Sequence, residues 1–363
     1  MPNRHPRAGI WDDPSLTRDL GAFTDVWARW DSVWFLRIAE HGYDSASGAA
    51  AAFYPLYPGA ISVVGWALFG HYVLAGILVS LAAAFGAFLL LHRVAEERLG
   101  ADGARRAVLY LAVFPFAFFL QAVYSESLFL FLVLAAFALA ERDRFAVAGV
   151  VAGLAILTRA AGVALLPALA VLAWRHRDRL RALGGVALAL PVAAVYPLVL
   201  WQQVGDPWAF TDAQDRWHRR FSGAGPLGGI WDGLVAGWRG LEQFVVGHGT
   251  HVSGVSPMHA AAENVQAAVF LVFFLVLTVV AWRRFGAPYG LFAAISLAVP
   301  LSYPSTRWPL LSLPRFGLVI FPLFLALAAL TADRPRAHNA VVACSALFLG
   351  VAVVQWALWQ WVA

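Results

Sequence analysis

The stretch "RWDSVWFLRIAEHGYD", Arg29 to Asp44, sets four ionisable residues, Asp31, Arg37, Glu40 and His41, among Trp30, Trp34, Phe35 and Ile38. It stands just before the first long apolar run. Asp31 suits a helix N-cap and Gly42 a C-terminal stop, so 31–42 reads as a short helix. Tryptophans and a mixed polar face fit an amphipathic helix lying at a membrane interface. At about 100° per residue, Asp31 falls between the Trp34/Ile38 side and the Phe35/Ala39 side. A carboxylate held against aromatic rings is partly desolvated, the setting a general base needs. A plain interfacial anchor and a catalytic helix both fit these residues.

Outward from that stretch the chain is a polytopic membrane protein. Of its 363 residues 61% are hydrophobic and 13% charged, against about 25% charged in soluble domains. Every basic residue is arginine and the net charge is +5, which suits lipid head groups or phosphates; nothing points to nucleic acid. A single cysteine, Cys344, rules out an intrachain disulfide. Residues 1–29 hold no apolar segment of the kind a cleavable signal needs.

Apolar runs cover about 73–91, 107–124, 127–140, 145–157, 160–174, 182–201, 262–282, 287–303, 315–332 and 338–361. Several fall short of the ~20 residues a crossing needs. Those from 127 to 174 read as half-helices packed inside a bundle around a cavity. If each run crosses once, Arg93, Arg98, Arg105 and Arg106, then Arg142 and Arg144, then Arg175 to Arg181, then Arg283 and Arg284, then Arg334 and Arg336 share one side. The positive-inside rule makes that side cytoplasmic. The other side receives the Ser125-Glu126-Ser127 tip, Arg159, the long loop 202–260 and the loop 304–314 ending at Arg315. Residues 54–70 fit either an interfacial helix or a thin span, and parity alone does not decide between them.

Glu126 in "VYSESLFLF" and Arg159 in "AGLAILTRAAGVALL" interrupt apolar surroundings, where ionisable groups are costly and therefore functional by default. A polar turn would also explain Glu126, and a structural partner for a buried carboxylate would explain Arg159. Arg315 at the head of "LPRFGLVIFPLFLALA" can snorkel to head groups or bind a phosphate. The stretch "GDPWAFTDAQDRWHRRF", 205–221, offers Trp208, Phe210, Trp217 and Phe221 with Arg216, Arg219 and Arg220 turned to phosphates or to solvent. His248, His251 and His259 have metal-like spacing, but no cysteine or carboxylate completes the set nearby, and no metal is expected.

These motifs resemble the GPI mannosyltransferase II (PIG-V-like) family and its bacterial relatives, within the GT-C superfamily of membrane glycosyltransferases. "RWDSVWFLRIAEHGY" followed by "FYPLYP" is similar to the family's first outer loop. "YSESLF", "LAILTRAAG", "GDPWAF" with Gln214 and Trp217, and "PRFGLVIFPLFLALA" follow in order, from about 29 to 330. The resemblance implies an all-α polytopic membrane protein of one domain, a GT-C-like bundle of about ten transmembrane helices with interfacial helices in a first outer loop at 29–72. It implies inverting, metal-independent transfer of mannose, or a similar sugar, from a polyprenyl-phosphate donor to a glycolipid, glycan or protein acceptor, with no cofactor. Asp31 matches the base, joined by Glu126 as a catalytic carboxylate. Arg315, Arg159, Arg37 and His41 are expected at the donor phosphate, and Glu40, Tyr54, Trp208 and Trp217 at the substrate.

Family members carry a transmembrane helix before the first outer loop, so an upstream span, lost through a downstream start, is expected. The arginine-only, alanine-rich composition suggests a bacterial plasma membrane, with the site facing outward. A transporter or flippase of lipid-linked sugars is the rival reading, although no convincing inverted repeat is present.

Overall fold

The computed structural model describes residues 21–43, 48–247, 256–360 and 362. Among them the chain is helical, with one isolated bridge, Arg219 to Ser305, in place of any sheet. Four helices are long and apolar enough to cross a membrane: Tyr72–Ala112, Arg179–Val204, Pro257–Phe285 and Pro335–Ala357. Six shorter apolar helices accompany them, including Glu126–Ala140, Phe145–Ile156, Ala287–Ser302 and Phe321–Leu330.

The arginine clusters gather at one end of the bundle, as the single-crossing pattern requires. Arg98 pairs with Glu141, whose carboxylate also accepts from the Tyr289 hydroxyl at 2.7 Å. Arg142 reaches Glu97 at 2.9 Å, and His176 lies 3.7 Å from Asp143. Arg106 donates to the Thr331 carbonyl, and Tyr110 meets His338 at 2.8 Å. From this belt the Glu126–Ala140 helix runs 15 residues to Glu126, roughly 22 Å at 1.5 Å per residue. Glu126, Arg159 and Arg315 therefore lie at the far end from the arginine belt.

Two expectations need correction. The apolar run 107–124 is not one span. Tyr72–Ala112 breaks at Gly100 (φ 73°, ψ 179°), and the chain then climbs past Thr331 and Phe324 towards Tyr124. Helix stops at Ala112 and gives way to a 3-10 turn, Ala117–Leu120. Pro115 cannot donate within a helix, and the broken backbone is tolerated because Phe114, Phe116, Phe118 and Phe119 bury it in protein. Second, the segment 202–260 is largely helical rather than looped: it carries Ala209–Arg216 and Pro226–Val246. The glycines of the latter make close contacts. A Cβ on Gly240 would lie 2.8 Å from the Ala261 carbonyl oxygen, and one on Gly237 2.5 Å from Ala268. Small residues that bring helix backbones together have the composition of a loop.

The ambiguous 54–70 segment forms half a hairpin. Leu56–Ala67 packs antiparallel to the start of Tyr72–Ala112, with Tyr57 bonded to Ser80 Oγ at 2.7 Å and Gly65 against the Tyr72 ring. It rises from the cavity described below to Trp66 and Phe69, both exposed, and never reaches the arginine belt. The opening stretch therefore shares an end with the other polar tips. Its helix, Ser32–His41, closes at Gly42 (φ 75°). Its aromatic residues pack into the protein: Trp34 and Phe35 are each only 5% exposed. Phe53 covers both rings, with Trp217 on the first and Tyr57 on the second.

The short helices are held by close backbone contact. A Cβ on Gly149 of Phe145–Ile156 would lie 2.1 Å from the Gly185 carbonyl oxygen. Gly149→Val is therefore expected to destabilise the bundle by about 1–3 kcal/mol, read as a lower melting temperature in detergent. An unchanged value would mean that the two helices do not pack this closely.

Candidate active site

A cavity of about 1070 Å³ opens at the end opposite the arginine belt. Asp31 enters it from the start of the Ser32–His41 helix. It stands at the N-cap position but makes no cap bond. Its carboxylate accepts instead from Arg315, Nη1 to Oδ2 at 2.9 Å, 284 residues away in sequence. The Tyr124 hydroxyl fixes the adjoining backbone, accepting from the Asp31 N–H at 3.2 Å and donating to the Arg29 carbonyl at 3.1 Å.

Behind Asp31 lies a second carboxylate. Glu126 begins the Glu126–Ala140 helix and is fully buried. Its Oε1 sits 2.7 Å from Arg159 Nη1 and 3.4 Å from Arg315 Nε. Arg159 also donates to Ser125 Oγ at 3.1 Å. The side chains of Asp31, Arg315, Glu126 and Arg159 thus form one charged chain drawn from four separate segments. Arg315 is clamped by aromatic faces, its guanidinium carbon 5.3 Å from the centroids of both Phe119 and Tyr124. Held in this way, a guanidinium keeps its donors aimed and loses little freedom on binding an oxyanion.

Of the residues expected at the site, Asp31, Glu126, Arg159, Arg315, Tyr54 and Trp217 line this cavity. Burial raises the Tyr54 phenol to about 12, so it is a neutral hydrogen-bonding group. Trp217 is oriented by Nε1–H donating to the Ala49 carbonyl at 3.1 Å. Arg37, Glu40, His41 and Trp208 do not line the cavity. His41 is 76% exposed and lies 3.7 Å from Glu40, and Trp208 faces out. His248 and His251 fall outside the described residues. His259 lines the cavity and has a carboxylate nearby after all, Glu263 at 3.9 Å. Among the described residues no three groups are placed to share a metal ion.

Three further features complete the site, and of these the sequence singled out only Arg219, turned to phosphates or to solvent. Tyr124, flanking the "SES" tip, is the hydroxyl that locks Asp31. Arg219 lines the wall, where burial first, and the nearby Arg315 cation second, bring its guanidinium down to about 10. It is still a cation at neutral pH. The end of the chain also folds back onto the site: Trp356 donates to the Val26 carbonyl at 2.6 Å, and Trp359 stacks under Arg29 at 4.3 Å and lines the cavity. An apolar final span rich in tryptophan was the only sign of this return.

Comparison with known proteins agrees with the resemblance. Residues 19–174 match the mannosyltransferase (PIG-V) family, a range that contains Asp31, Glu126 and Arg159. No curated protein matches the chain. Among solved structures, ArnT from Cupriavidus metallidurans, crystallised with undecaprenyl phosphate, is 18% identical with a TM-score of 0.52, over 88% of this chain and 58% of that one. An oligosaccharyltransferase from Archaeoglobus fulgidus is 14% identical with a TM-score of 0.43, over 89% of this chain and 48% of its own. The chain thus spans about half the length of the solved structures it resembles. Residues 19–174 carry the sequence pattern of the PIG-V mannosyltransferases, and the chain shares the helical fold of ArnT.

Proposed function

We propose that this chain transfers mannose, or a closely similar sugar, from a polyprenyl-phosphate donor to a hydroxyl on a glycolipid, glycan or protein. One observation carries the reading: a cavity-facing carboxylate, Asp31, is paired with Arg315 and linked through Glu126 to a second arginine, Arg159, in a space large enough for a sugar and its phosphate. The matched family supports mannose and the lipid-linked donor.

Arg315 neutralises Asp31. A donor phosphate competes for that guanidinium, and Asp31 is then free to accept a proton. The acceptor hydroxyl gives its proton to Asp31, and its oxygen forms a bond to the anomeric carbon. The bond from that carbon to the phosphate oxygen breaks on the opposite face, and polyprenyl phosphate leaves with the electron pair. The anomeric configuration inverts in this single displacement. Arg315 and Arg159 meet the charge that develops on the leaving phosphate. Glu126, buried between the two arginines, holds them at a fixed spacing. The positive-inside rule supports an outward-facing site, since the cavity lies opposite the arginine belt.

The test is a product analysis with purified protein, polyprenyl-phosphate mannose and a membrane lipid extract. The expected result is polyprenyl phosphate released in step with a mannosylated product of inverted configuration, and no product from a nucleotide sugar. Retention of configuration, or use of the nucleotide sugar instead, would overturn the proposal.

A further inference from the structure

Three guanidiniums crowd around one ring. The guanidinium carbons of Arg159, Arg219 and Arg315 lie 5.5, 5.6 and 5.5 Å from the centroid of Phe316. Two carboxylates face them: Asp31 pairs with Arg315, and Glu126 lies between Arg315 and Arg159. Arg219 makes no ion pair among the described residues. It donates to the carbonyls of Tyr303 at 3.3 Å and Leu311 at 2.8 Å. The cluster therefore holds one positive charge in excess, carried by a side chain on the cavity wall. Like charges in a shielded site repel unless an anion joins them.

Arg219 is also presented rigidly. It occupies the bridge with Ser305, and the same two segments are stitched by Thr306 N–H to the His218 carbonyl at 2.8 Å and Ser222 N–H to the Ser302 carbonyl at 2.9 Å. A guanidinium has five N–H donors, and two backbone carbonyls leave it with donors to spare. A cation fixed in advance loses little conformational freedom when an oxyanion arrives.

We infer that Arg219 is a third ligand of the donor's phosphate, adding a cation that the two carboxylates of the cluster do not neutralise. The inference rests on the lipid-phosphate reading above, but not on sugar transfer itself. When transfer occurs, the phosphate becomes a monoester and gains a second charge while Asp31 gains a proton. The negative charge thus moves from Asp31 to the phosphate within reach of the same three cations. This also gives the segment between the Arg179–Val204 and Pro257–Phe285 helices a role in donor binding, although it lies outside the family match.

Binding of undecaprenyl phosphate and of uncharged undecaprenol to the full chain in nanodiscs tests this, with wild type, Arg219→Gln and Arg219→Lys. Arg219→Gln is expected to weaken undecaprenyl phosphate by about 10- to 100-fold and to leave undecaprenol unchanged, which also reports that the variant is folded. Arg219→Lys is expected to recover part of the loss, because the charge remains. Unchanged phosphate affinity in Arg219→Gln would overturn the inference. So would equal weakening of both lipids, the mark of a rim-holding role alone. Arg219-dependent phosphate binding by a wild-type protein that transfers no sugar would remove the transferase reading and leave this inference standing.

Discussion

Asp31→Asn is expected to lower the single-turnover rate of mannosyl transfer by about 10²- to 10⁴-fold, the range assigned to a positioned general base. Asparagine keeps the shape of the side chain but neither accepts the proton nor neutralises Arg315. Donor affinity should hold or rise, because the guanidinium 2.9 Å from Asp31 Oδ2 no longer has an internal carboxylate to leave. The split is the informative part. A rate within tenfold of wild type would remove Asp31 as the base. Parallel loss of donor binding would make Asp31 an organiser of the arginines instead.

Glu126→Gln is expected to show the largest loss of stability. The carboxylate is fully buried between Arg159 and Arg315, and removing one partner from a buried charged set costs about 3–5 kcal/mol. The melting temperature in detergent should fall by several degrees, and undecaprenyl phosphate should restore part of it by supplying a replacement anion. If stability holds while transfer disappears, Glu126 takes part in the chemistry directly, as its place in the "SES" tip first suggested. A large stability loss with partial rescue by phosphate would confirm the spacing role described above.

Much of this was legible because membrane spans and embedded charges announce themselves. Asp31, Glu126, Arg159 and Arg315 stand out as ionisable groups in apolar surroundings, and the structure brings all four to one cavity. The pairings among them were not legible. The bond from Arg315 to Asp31 joins residues 284 apart, and no local periodicity encodes such a contact. Arg37, Glu40 and His41 share a motif with Asp31, and Arg37 and His41 were expected at the donor phosphate and Glu40 at the substrate. A helix turns successive residues through about 100°, and these three do not line the cavity that Asp31 enters.

The errors in the fold have equally local causes. In 107–124 hydrophobicity continues through Pro115, so a hydropathy reading sees a span where the backbone is broken and buried among phenylalanines. Residues 226–246 fall between two apolar runs and so read as part of a loop, yet glycines at four- and three-residue spacing allow a helix to lie against neighbouring backbone. The 54–70 segment has the length of a thin crossing. Only its pairing with the head of Tyr72–Ala112, Tyr57 to Ser80 and Gly65 to Tyr72, shows that it turns back. In each case a tertiary partner decides between two conformations that composition leaves equally open.

The most direct test of the central claim is the fate of the sugar–phosphate bond. Proteoliposomes containing the full chain would be given polyprenyl-phosphate mannose labelled in the sugar, and the label followed for wild type and Asp31→Asn. The account predicts that label leaves polyprenyl phosphate for an acceptor in wild type and stays in place in the variant. Label that crosses the bilayer still attached to polyprenyl phosphate, with or without Asp31, would contradict the account and identify a transporter of lipid-linked sugar.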